Sequence, residues 1–267
     1  LPGRFGSDVL EPFTSVVDDS PDDRCNWNKA VGYPEVPCVR GAPGTAASWA
    51  LYGDSHARMY AEALEKRLGA RGESFVQLTH ASCPVAPGLC SRAAPRCAAF
   101  HDLALERMAD PAVQTVVVVT RWNLHRRVRG IEPPHCTDGL GSKVGVEDYE
   151  ARVIERIRAL VAMGKRVVVL GGSPELGTDV PYTNAKRFQR GEPALARRRE
   201  EAVDTESTRF LEALGTDVLL YQPADILCPE GICETHVDHT SWYRDDNHAT
   251  LPAALLVLDD LMGRLER

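Results

Sequence analysis

The feature of the sequence that most constrains its fold is an alternation of apolar, strand-like segments with helical segments. The clearest strand, 113–120, is dominated by valine and threonine and lacks the polar alternation of a half-buried strand. Such a run is typical of a strand buried on both faces of a parallel sheet. The alternation predicts an α/β fold with a single doubly wound, mostly parallel five-stranded sheet and helices on both faces. The five predicted strands are 46–52, 74–78, 113–120, 166–170 and 217–221.

Apolar residues three or four positions apart predict helices between these strands. A long polar helix is predicted within 185–214, with an interruption near Gly191 and Pro193. The basic run 197–199 is assigned to its solvated face because two glutamates follow. A small hairpin is expected within 226–243. The other predicted helices are 57–68, 98–108, 146–163 and 250–267.

The composition favours a globular, exported domain. The chain has 267 residues, 43% of them apolar, which is enough for one large core. Its net charge of −7 argues against a nucleic-acid partner, and no apolar stretch approaches the ~18 residues of a membrane span. Residues 1–45, rich in Pro, Gly and Asp, predict a disulfide-stapled lead-in before the main domain at 46–267. Because the chain begins at Leu1, we expect part of a longer exported or membrane-tethered protein.

Eight cysteines lie in loop-like sequence, which predicts disulfides and an oxidising compartment. Two pairs are close in sequence, and they are the first predicted bridges. The remaining four cysteines allow three pairings, of which we favour one. The favoured set is Cys25–Cys38, Cys228–Cys233, Cys83–Cys97 and Cys90–Cys136.

The segment that contains Cys228, Cys233, His236 and His239 also resembles a zinc site. Its two histidines are closer together than zinc ligands usually are. Cysteines in an exported chain are also better explained as a bridge. We therefore expect no metal.

The first predicted strand ends in the turn Gly53-Asp54-Ser55, and a helix follows. Ser55 then lies at the carboxyl end of a strand and the amino end of a helix. Open α/β sheets bind ligands at this edge, and the backbone N–H groups there favour negative charge. A serine in this position is also a common helix cap, so a catalytic role requires a base elsewhere in the chain.

The segment before the last helix offers such a base. Asp245 precedes His248 by three residues in a predicted loop, which lets the carboxylate accept the proton of one ring nitrogen while the other faces outward. An Asp and a His near a helix start can also be a cap and a surface residue. Asp246 competes with Asp245, but it is only two residues from His248, so we favour Asp245.

Together, the Gly-Asp-Ser and Asp-x-x-His blocks resemble the SGNH hydrolase superfamily, also called the GDSL-like esterases. The sequence is most similar to the extracytoplasmic SGNH domains fused to acyltransferase-3 membrane proteins, which O-acetylate bacterial surface polysaccharides. The resemblance implies a flavodoxin-like SGNH fold. The blocks that carry it are 52–57, 81–84, 121–122, 227–228 with Cys233, and 243–248.

The resemblance also implies a catalytic triad. In it Ser55 is the nucleophile, His248 is the general base and then the acid, and Asp245 orients His248. The oxyanion hole of the family combines the N–H of the nucleophile, here Ser55, with a backbone N–H from a second block and an asparagine side chain from a third.

This chain departs from the family pattern in the second and third blocks. The second block has no glycine, so the N–H of Ser82 or Cys83 must serve, and we assign Cys83. In the third block Trp122 stands at the usual asparagine position, which makes Asn123 the substitute.

Several further residues near these blocks are candidates for contact with the substrate. Core packing explains the aromatic ones, including Tyr243, at least as well. The remaining histidines are assigned to surface or packing positions. The substrate-binding candidates are His56, Arg121, Trp122 and Trp242, and the remaining histidines are His80, His101, His125 and His135.

The implied function is transfer of an acetyl or other small acyl group to a carbohydrate hydroxyl through an acyl-Ser55 intermediate. The alternatives are a secreted carbohydrate O-acetyl esterase with the same triad and a non-enzymatic, disulfide-stapled glycan-binding domain. We expect a monomeric domain without a bound cofactor, an acyl donor supplied by another domain or protein, and a fused acyltransferase-3 membrane domain. The expected location is the periplasmic or extracellular face, tethered to the inner membrane.

Overall fold

The computed structural model describes residues 25–27, 38–91, 94, 96–128, 144–237 and 240–267. These residues form two compact units. The first, named the sheet unit, holds the described residues up to Gly171 together with Thr205–Tyr221. The second, named the C-terminal unit, holds Gly172–Asp204 and Gln222–Arg267.

Strands and helices alternate along the chain, as the sequence predicts. The strands are β1 Asn26–Trp27, β2 Val39–Gly41, β3 Trp49–Gly53, β4 Ser74–His80, β5 Thr115–Val119, β6 Arg166–Leu170, β7 Ala196–Arg198, β8 Leu219–Tyr221, β9 Ile232–Glu234, β10 His236–Val237 and β11 Thr240–Ser241. The helices are α1 Ser55–Arg58, α2 Ala61–Ala70, α3 Cys97–Met108, α4 Trp122–Val128, α5 Val146–Ala162, α6 Val180–Gln189, α7 Arg199–Ala202, α8 Ala224–Leu227 and α9 Leu251–Leu265, with 3₁₀ segments at Glu206–Asp217 and Pro229–Gly231.

The sheet unit is built on one sheet with the strand order β1-β4-β3-β5-β6-β8. Neighbours in this order are parallel, and β2 pairs antiparallel with β4. The five predicted strands are β3, β4, β5, β6 and β8, so the mostly parallel sheet is confirmed. The prediction missed β1 and β2. Both come from the segment assigned to the lead-in, which therefore contributes to the sheet.

The order of the strands reverses between β3 and β5, because β4 follows β3 on one side and β5 lies on the other. Segments that leave such a pair of strands diverge, and ligands of doubly wound sheets bind in the crevice between them. Gly53 and Val119 are register partners at the ends of these strands. Ser55 and Thr120 therefore follow neighbouring positions at the carboxyl edge of the sheet.

Both faces of the central strands are buried, which explains the missing polar alternation. On one face, Val116 packs into a core with Phe100 of α3 and Ile157 of α5. Gln77 of β4 belongs to the opposite face, because neighbouring Val76 and Leu78 lie in that core and side chains alternate along a strand.

The opposite face carries a polar contact with α2. The guanidinium of Arg40 donates to the side-chain oxygen of Gln77 at 2.9 Å and forms an ion pair with Glu65 of α2. Arg40 is buried, so its charge is compensated by a carboxylate and an amide. Helices therefore flank both faces of the sheet, as predicted.

The interruption predicted near Gly191 and Pro193 is confirmed, but the long polar helix predicted within 185–214 is wrong. Helix α6 begins at Val180, with Asp179 as its N-cap, and ends at Gln189. Pro193 follows, and proline disfavours helical backbone in the residue before it. The basic run 197–199 then forms part of strand β7, which pairs antiparallel with β9, before α7 begins. It is not the face of a long helix.

Three other predicted elements are confirmed. Helix α5 matches the predicted 146–163, and α9 matches the start of the predicted closing helix, with Pro252 in its first turn. Strands β10 and β11 form an antiparallel pair within the segment predicted to hold a hairpin. Helix α4 was not predicted.

The structure confirms three predicted disulfides, which are Cys25–Cys38, Cys83–Cys97 and Cys228–Cys233. Cys90 is also disulfide-bonded, but Cys136, its predicted partner, lies outside the described residues. The bridge between Cys228 and Cys233 removes both thiolates from the zinc alternative, which is therefore wrong.

None of the helices in the described parts of the chain combines the length and the apolar content of a membrane span.

Candidate active site

The turn that carries Ser55 depends on the glycine before it. Gly53 ends β3 with φ +151°, and a Cβ atom on it would lie 1.7 Å from the carbonyl oxygen of Val119. No side chain fits at that distance. The backbone then enters α1, a four-residue helix that begins at Ser55. Ser55 therefore lies at the carboxyl edge of the sheet and is only partly buried.

Asp54 fixes this turn through both oxygens of its carboxylate. Its Oδ1 accepts the N–H of His56 at 2.8 Å and so caps α1. Its Oδ2 accepts the hydroxyl of Thr120 at 2.9 Å, the N–H of Arg121 at 3.0 Å and Nε2–H of His125 at 2.7 Å. One carboxylate therefore ties the nucleophile turn to the segment that follows β5.

The carboxylate of Asp54 is buried, and burial by itself raises its pKa. The hydrogen bond and charge of His125, the charge of His56 and the N–H of Arg121 outweigh burial and hold the pKa well below its usual value. Asp54 is therefore ionised. No role was predicted for Asp54, and His125 was assigned to a surface or packing position. The two residues are 71 positions apart, so the sequence contains no local signal for their contact.

The second block lies in a turn after β4. Ser82 has φ +61°, a left-handed conformation that glycine adopts most easily. The N–H of Cys83 donates to the carbonyl of His80 at 3.1 Å, so it is already engaged. This corrects the assignment of Cys83 to the oxyanion hole and leaves the N–H of Ser82, the other candidate, as the donor from this block.

A buried hydrogen-bond chain connects this turn to β3. The Nε2–H of His101 donates to the carbonyl of Pro84 at 2.7 Å. Its Nδ1 must then accept, and it receives the hydroxyl of Tyr52 at 2.5 Å. Burial, followed by the charge of Arg156, lowers the pKa of His101 to about 3, so the ring is neutral. His101 thus links the strand of the nucleophile with the second block.

The third block starts α4. The Oδ1 of Asn123 accepts the N–H of Leu124 at 2.6 Å, so the amide group of Asn123 is the part of this side chain that can donate. Arg121 is partly exposed. Both positions remain compatible with their predicted roles.

Three of the predicted substrate contacts lie in the protein interior. Trp122 is 1% exposed, and its indole N–H donates to the carbonyl of Leu170 at 2.7 Å. His56 is 2% exposed and Trp242 is 8% exposed. A ring buried on both faces offers no surface to a sugar, so the substrate-binding role is wrong for Trp122 and His56. Most of the surface of Trp242 is also buried in packing contacts.

The C-terminal unit holds the predicted base and its partner. The Nδ1 of His248 lies 2.6 Å from Oδ2 of Asp245, while Oδ1 accepts the N–H groups of Asn247 and His248. Burial would raise the pKa of Asp245, but these contacts with His248 and Asn247 hold it below its usual value. Asp246 instead accepts the side-chain amide of Asn247. The structure therefore pairs His248 with Asp245.

Short backbone contacts hold this loop in place. The N–H of Arg244 donates to the carbonyl of His248, and Tyr243 forms a β-bridge with Ala249. The carbonyl of Asp246 accepts the N–H of Leu176 at 2.7 Å. With Nδ1 facing Asp245, the Nε2 of a neutral His248 is the nitrogen that can accept a proton.

A family model described as the SGNH domain, fused to AT3 domains, matches residues 24–262. The chain belongs to this family. Among solved structures, it is similar to the periplasmic domain of a lipopolysaccharide acetyltransferase from Salmonella ser. Paratyphi A, with 13% identity, 98% coverage of both chains and a TM-score of 0.63. It also matches a Bacteroides fragilis protein described as an acylhydrolase, with 10% identity, coverage of 85% and 91%, and a TM-score of 0.43. No curated protein matches.

Membership of the SGNH domain family confirms the resemblance drawn from the sequence blocks. It supports an enzyme that transfers or hydrolyses acyl groups. It also supports fusion to an acyltransferase-3 domain in the full-length protein. The likeness to the Salmonella domain, at 13% identity, confirms the fold.

Proposed function

We propose that this SGNH domain is a serine O-acyltransferase that moves an acetyl or similar small acyl group to a carbohydrate hydroxyl. Ser55 is the nucleophile, His248 the base and Asp245 the residue that orients His248. The observation that carries the proposal is the 2.6 Å contact between Asp245 and Nδ1 of His248. That contact fixes the ring tautomer that a general base requires.

The chemistry follows the ordinary path of acyl transfer. Nε2 of His248 takes the hydroxyl proton of Ser55 while Oγ attacks the acyl carbonyl, and the resulting oxyanion collapses with loss of the donor, which receives the proton from His248. In the second half, His248 deprotonates the acceptor hydroxyl, which attacks the acyl-Ser55 ester. The acylated acceptor leaves, and the proton returns to Ser55.

The oxyanion needs hydrogen-bond donors near Ser55. We assign the N–H of Ser55, the N–H of Ser82 and the side-chain amide of Asn123 to this role. Each donor of this kind accelerates acyl transfer by about 100- to 1000-fold. The positions of these residues support the assignment, because all three follow strands of one sheet at its carboxyl edge.

The proposal extends to the setting of the reaction. The acceptor is a surface polysaccharide, and a fused acyltransferase-3 membrane domain or another protein supplies the acyl group. The domain acts as a monomer, without a cofactor, at the periplasmic face of an inner membrane. Support comes from the AT3 fusion of the family and from the described location of the Salmonella domain.

Labelling with a fluorophosphonate, followed by peptide mass spectrometry, tests the nucleophile. We expect one adduct, on Ser55, which disappears in Ser55→Ala and forms far more slowly in His248→Ala. Asp245→Asn is a further variant, and Asp246→Asn is its matched control. The two carboxylates are adjacent in sequence, but it is Asp245 that contacts the ring of His248, whereas Asp246 contacts Asn247. Absence of labelling in the wild-type domain would overturn the proposal and favour a glycan-binding domain.

A second measurement separates transfer from hydrolysis. The domain is incubated with p-nitrophenyl acetate that carries a labelled acetyl group, together with an oligosaccharide acceptor. Label on the sugar supports the transferase. Label released only as acetate, with rapid deacetylation of an acetylated polysaccharide, supports an esterase.

A further inference from the structure

The sheet unit contains an Asp–His pair that the proposed triad does not use. Asp54 and His125 are both buried, and their side chains meet at 2.7 Å. Asp54 immediately precedes the nucleophile, whereas His125 lies in α4, in the turn that also carries Asn123. The pair therefore spans the two segments that, under the proposed function, supply the nucleophile and an oxyanion donor.

We propose that Asp54 and His125 are positioning residues that hold the Ser55 turn and the Asn123 turn in the mutual geometry required for attack on the acyl group. This inference rests on the proposed function of Ser55. Neither residue touches the reacting atoms, so both act through the segments that they join.

The donor arrangement explains why an ionised carboxylate is required. Three donors, from Thr120, Arg121 and His125, converge on Oδ2, and a fourth, from His56, binds Oδ1. An ionised carboxylate accepts on both oxygens, but an amide carries two N–H donors on one side. In Asp54→Asn, either the three donors or the helix cap must face an NH₂ group.

Small shifts at this position have large consequences for the reaction. A displacement of about 1 Å between reacting groups can cost about 100-fold in rate. The carboxylate controls both ends of such a displacement, because its two oxygens bind different segments. We therefore expect the rate of acylation to fall while affinity for the acyl substrate is retained.

The test compares three single substitutions in the full domain. Asp54→Asn replaces one acceptor oxygen of the carboxylate with an NH₂ donor. His125→Gln keeps an N–H donor but changes its position. Thr120→Val removes a neutral donor from Oδ2 of Asp54, the oxygen that His125 also binds. For each variant, kcat and KM for p-nitrophenyl acetate and the rate of fluorophosphonate labelling of Ser55 are measured well below the melting temperature.

We expect Asp54→Asn to lower kcat by about 100-fold with KM within about 2-fold of the wild type. His125→Gln lowers kcat by about 10-fold, and Thr120→Val by no more than about 3-fold. Labelling rates follow kcat. Folding is checked by melting temperature, and His125→Gln keeps the proposal testable if Asp54→Asn does not fold.

Two results would overturn the inference. One is wild-type kcat in folded His125→Gln together with wild-type labelling of Ser55. The other is an equal loss in Thr120→Val and His125→Gln, which would indicate packing rather than the Asp–His pair. If instead the wild-type domain shows no labelling at Ser55, it is the proposed function that fails.

Discussion

The two Asp–His pairs of this protein have nearly the same contact distance and very different surroundings. Asp54 and His125 meet at 2.7 Å with side chains that are 2% and 4% exposed. Asp245 and His248 meet at 2.6 Å, with 40% and 20% exposure. The distance alone therefore does not distinguish a base from an anchor. The surroundings do, because a proton-transfer group needs a ring that substrate can reach.

The hydrogen bonds around each carboxylate support this division. Asp54 binds donors from α1, α4 and the end of β5, so its bonds join distant segments. The side chain of Asp245 binds the N–H groups of Asn247 and His248 and the ring of His248, all within its own loop. The first pair stabilises the architecture at the sheet edge, and the second orients one imidazole.

The largest effect is expected on activity, when the partly exposed pair of Asp245 and His248 is disrupted. Asp245→Asn leaves the loop intact but favours the wrong tautomer of His248, so kcat should fall by about 10⁴-fold, as in a serine protease triad. Hydrolysis of p-nitrophenyl acetate measures this loss, with Asp246→Asn as the control. Equal activity in the two variants would contradict the assignment of Asp245.

The next largest effect is on stability, and here disrupting the buried pair should cost more than disrupting the partly exposed pair. His125→Leu removes a ring N–H donor from the buried, ionised carboxylate of Asp54, and the free energy of unfolding should fall by about 3–5 kcal/mol. His248→Ala breaks a partly exposed pair and should cost about 1 kcal/mol or less. Urea denaturation measures both values. Similar losses in the two variants would show that burial does not make one pair contribute more to stability than the other.

The difference between the pairs also explains what the sequence could predict. Asp245 and His248 are three residues apart, so a local pattern reveals them, and Ser55 follows a recognisable strand and turn. His125 lies 71 positions from Asp54, and only the parallel pairing of β3 with β5 brings them together. Nothing local predicts such a contact.

Other errors have the same origin in tertiary structure. Trp122 carries a ring that suits either a sugar or a core, and only the fold shows that it is buried. Strand β7 forms in a segment with helical charge spacing because β9 supplies its hydrogen-bond partners. The left-handed backbone of Ser82 is a further case, since serine gives no sequence signal for it.

The third prediction concerns a buried histidine that has neutral partners. The pKa of His101 is about 3 in the folded protein, against about 6.5 in an unfolded chain. The unfolded state binds more protons between these values, so stability is complete above about pH 6.5 and falls as the pH is lowered. The contribution of His101 is about 1 kcal/mol between pH 5.5 and 4.5. Urea denaturation at both pH values should show this dependence reduced in His101→Gln, and an unchanged slope would contradict it.

A loss of stability of similar size is expected on removal of the hydroxyl group of Tyr52, which donates to Nδ1 of His101. Tyr52→Phe leaves that nitrogen buried without a donor, so the free energy of unfolding should fall by about 1–2 kcal/mol. The contact between His101 and Pro84 remains, so labelling of Ser55 should slow by about 3-fold at most.

Tyr149→Phe is the matched control, because the hydroxyl of Tyr149 is also buried but has no hydrogen-bond partner among the described residues. Its removal should therefore leave stability unchanged or raise it slightly. Equal losses in the two variants would mean that the hydroxyl of Tyr52 contributes packing and not a hydrogen bond. A loss confined to Tyr52→Phe would show that the second block, like the turn of Ser55, is held by a buried histidine that the substrate never meets.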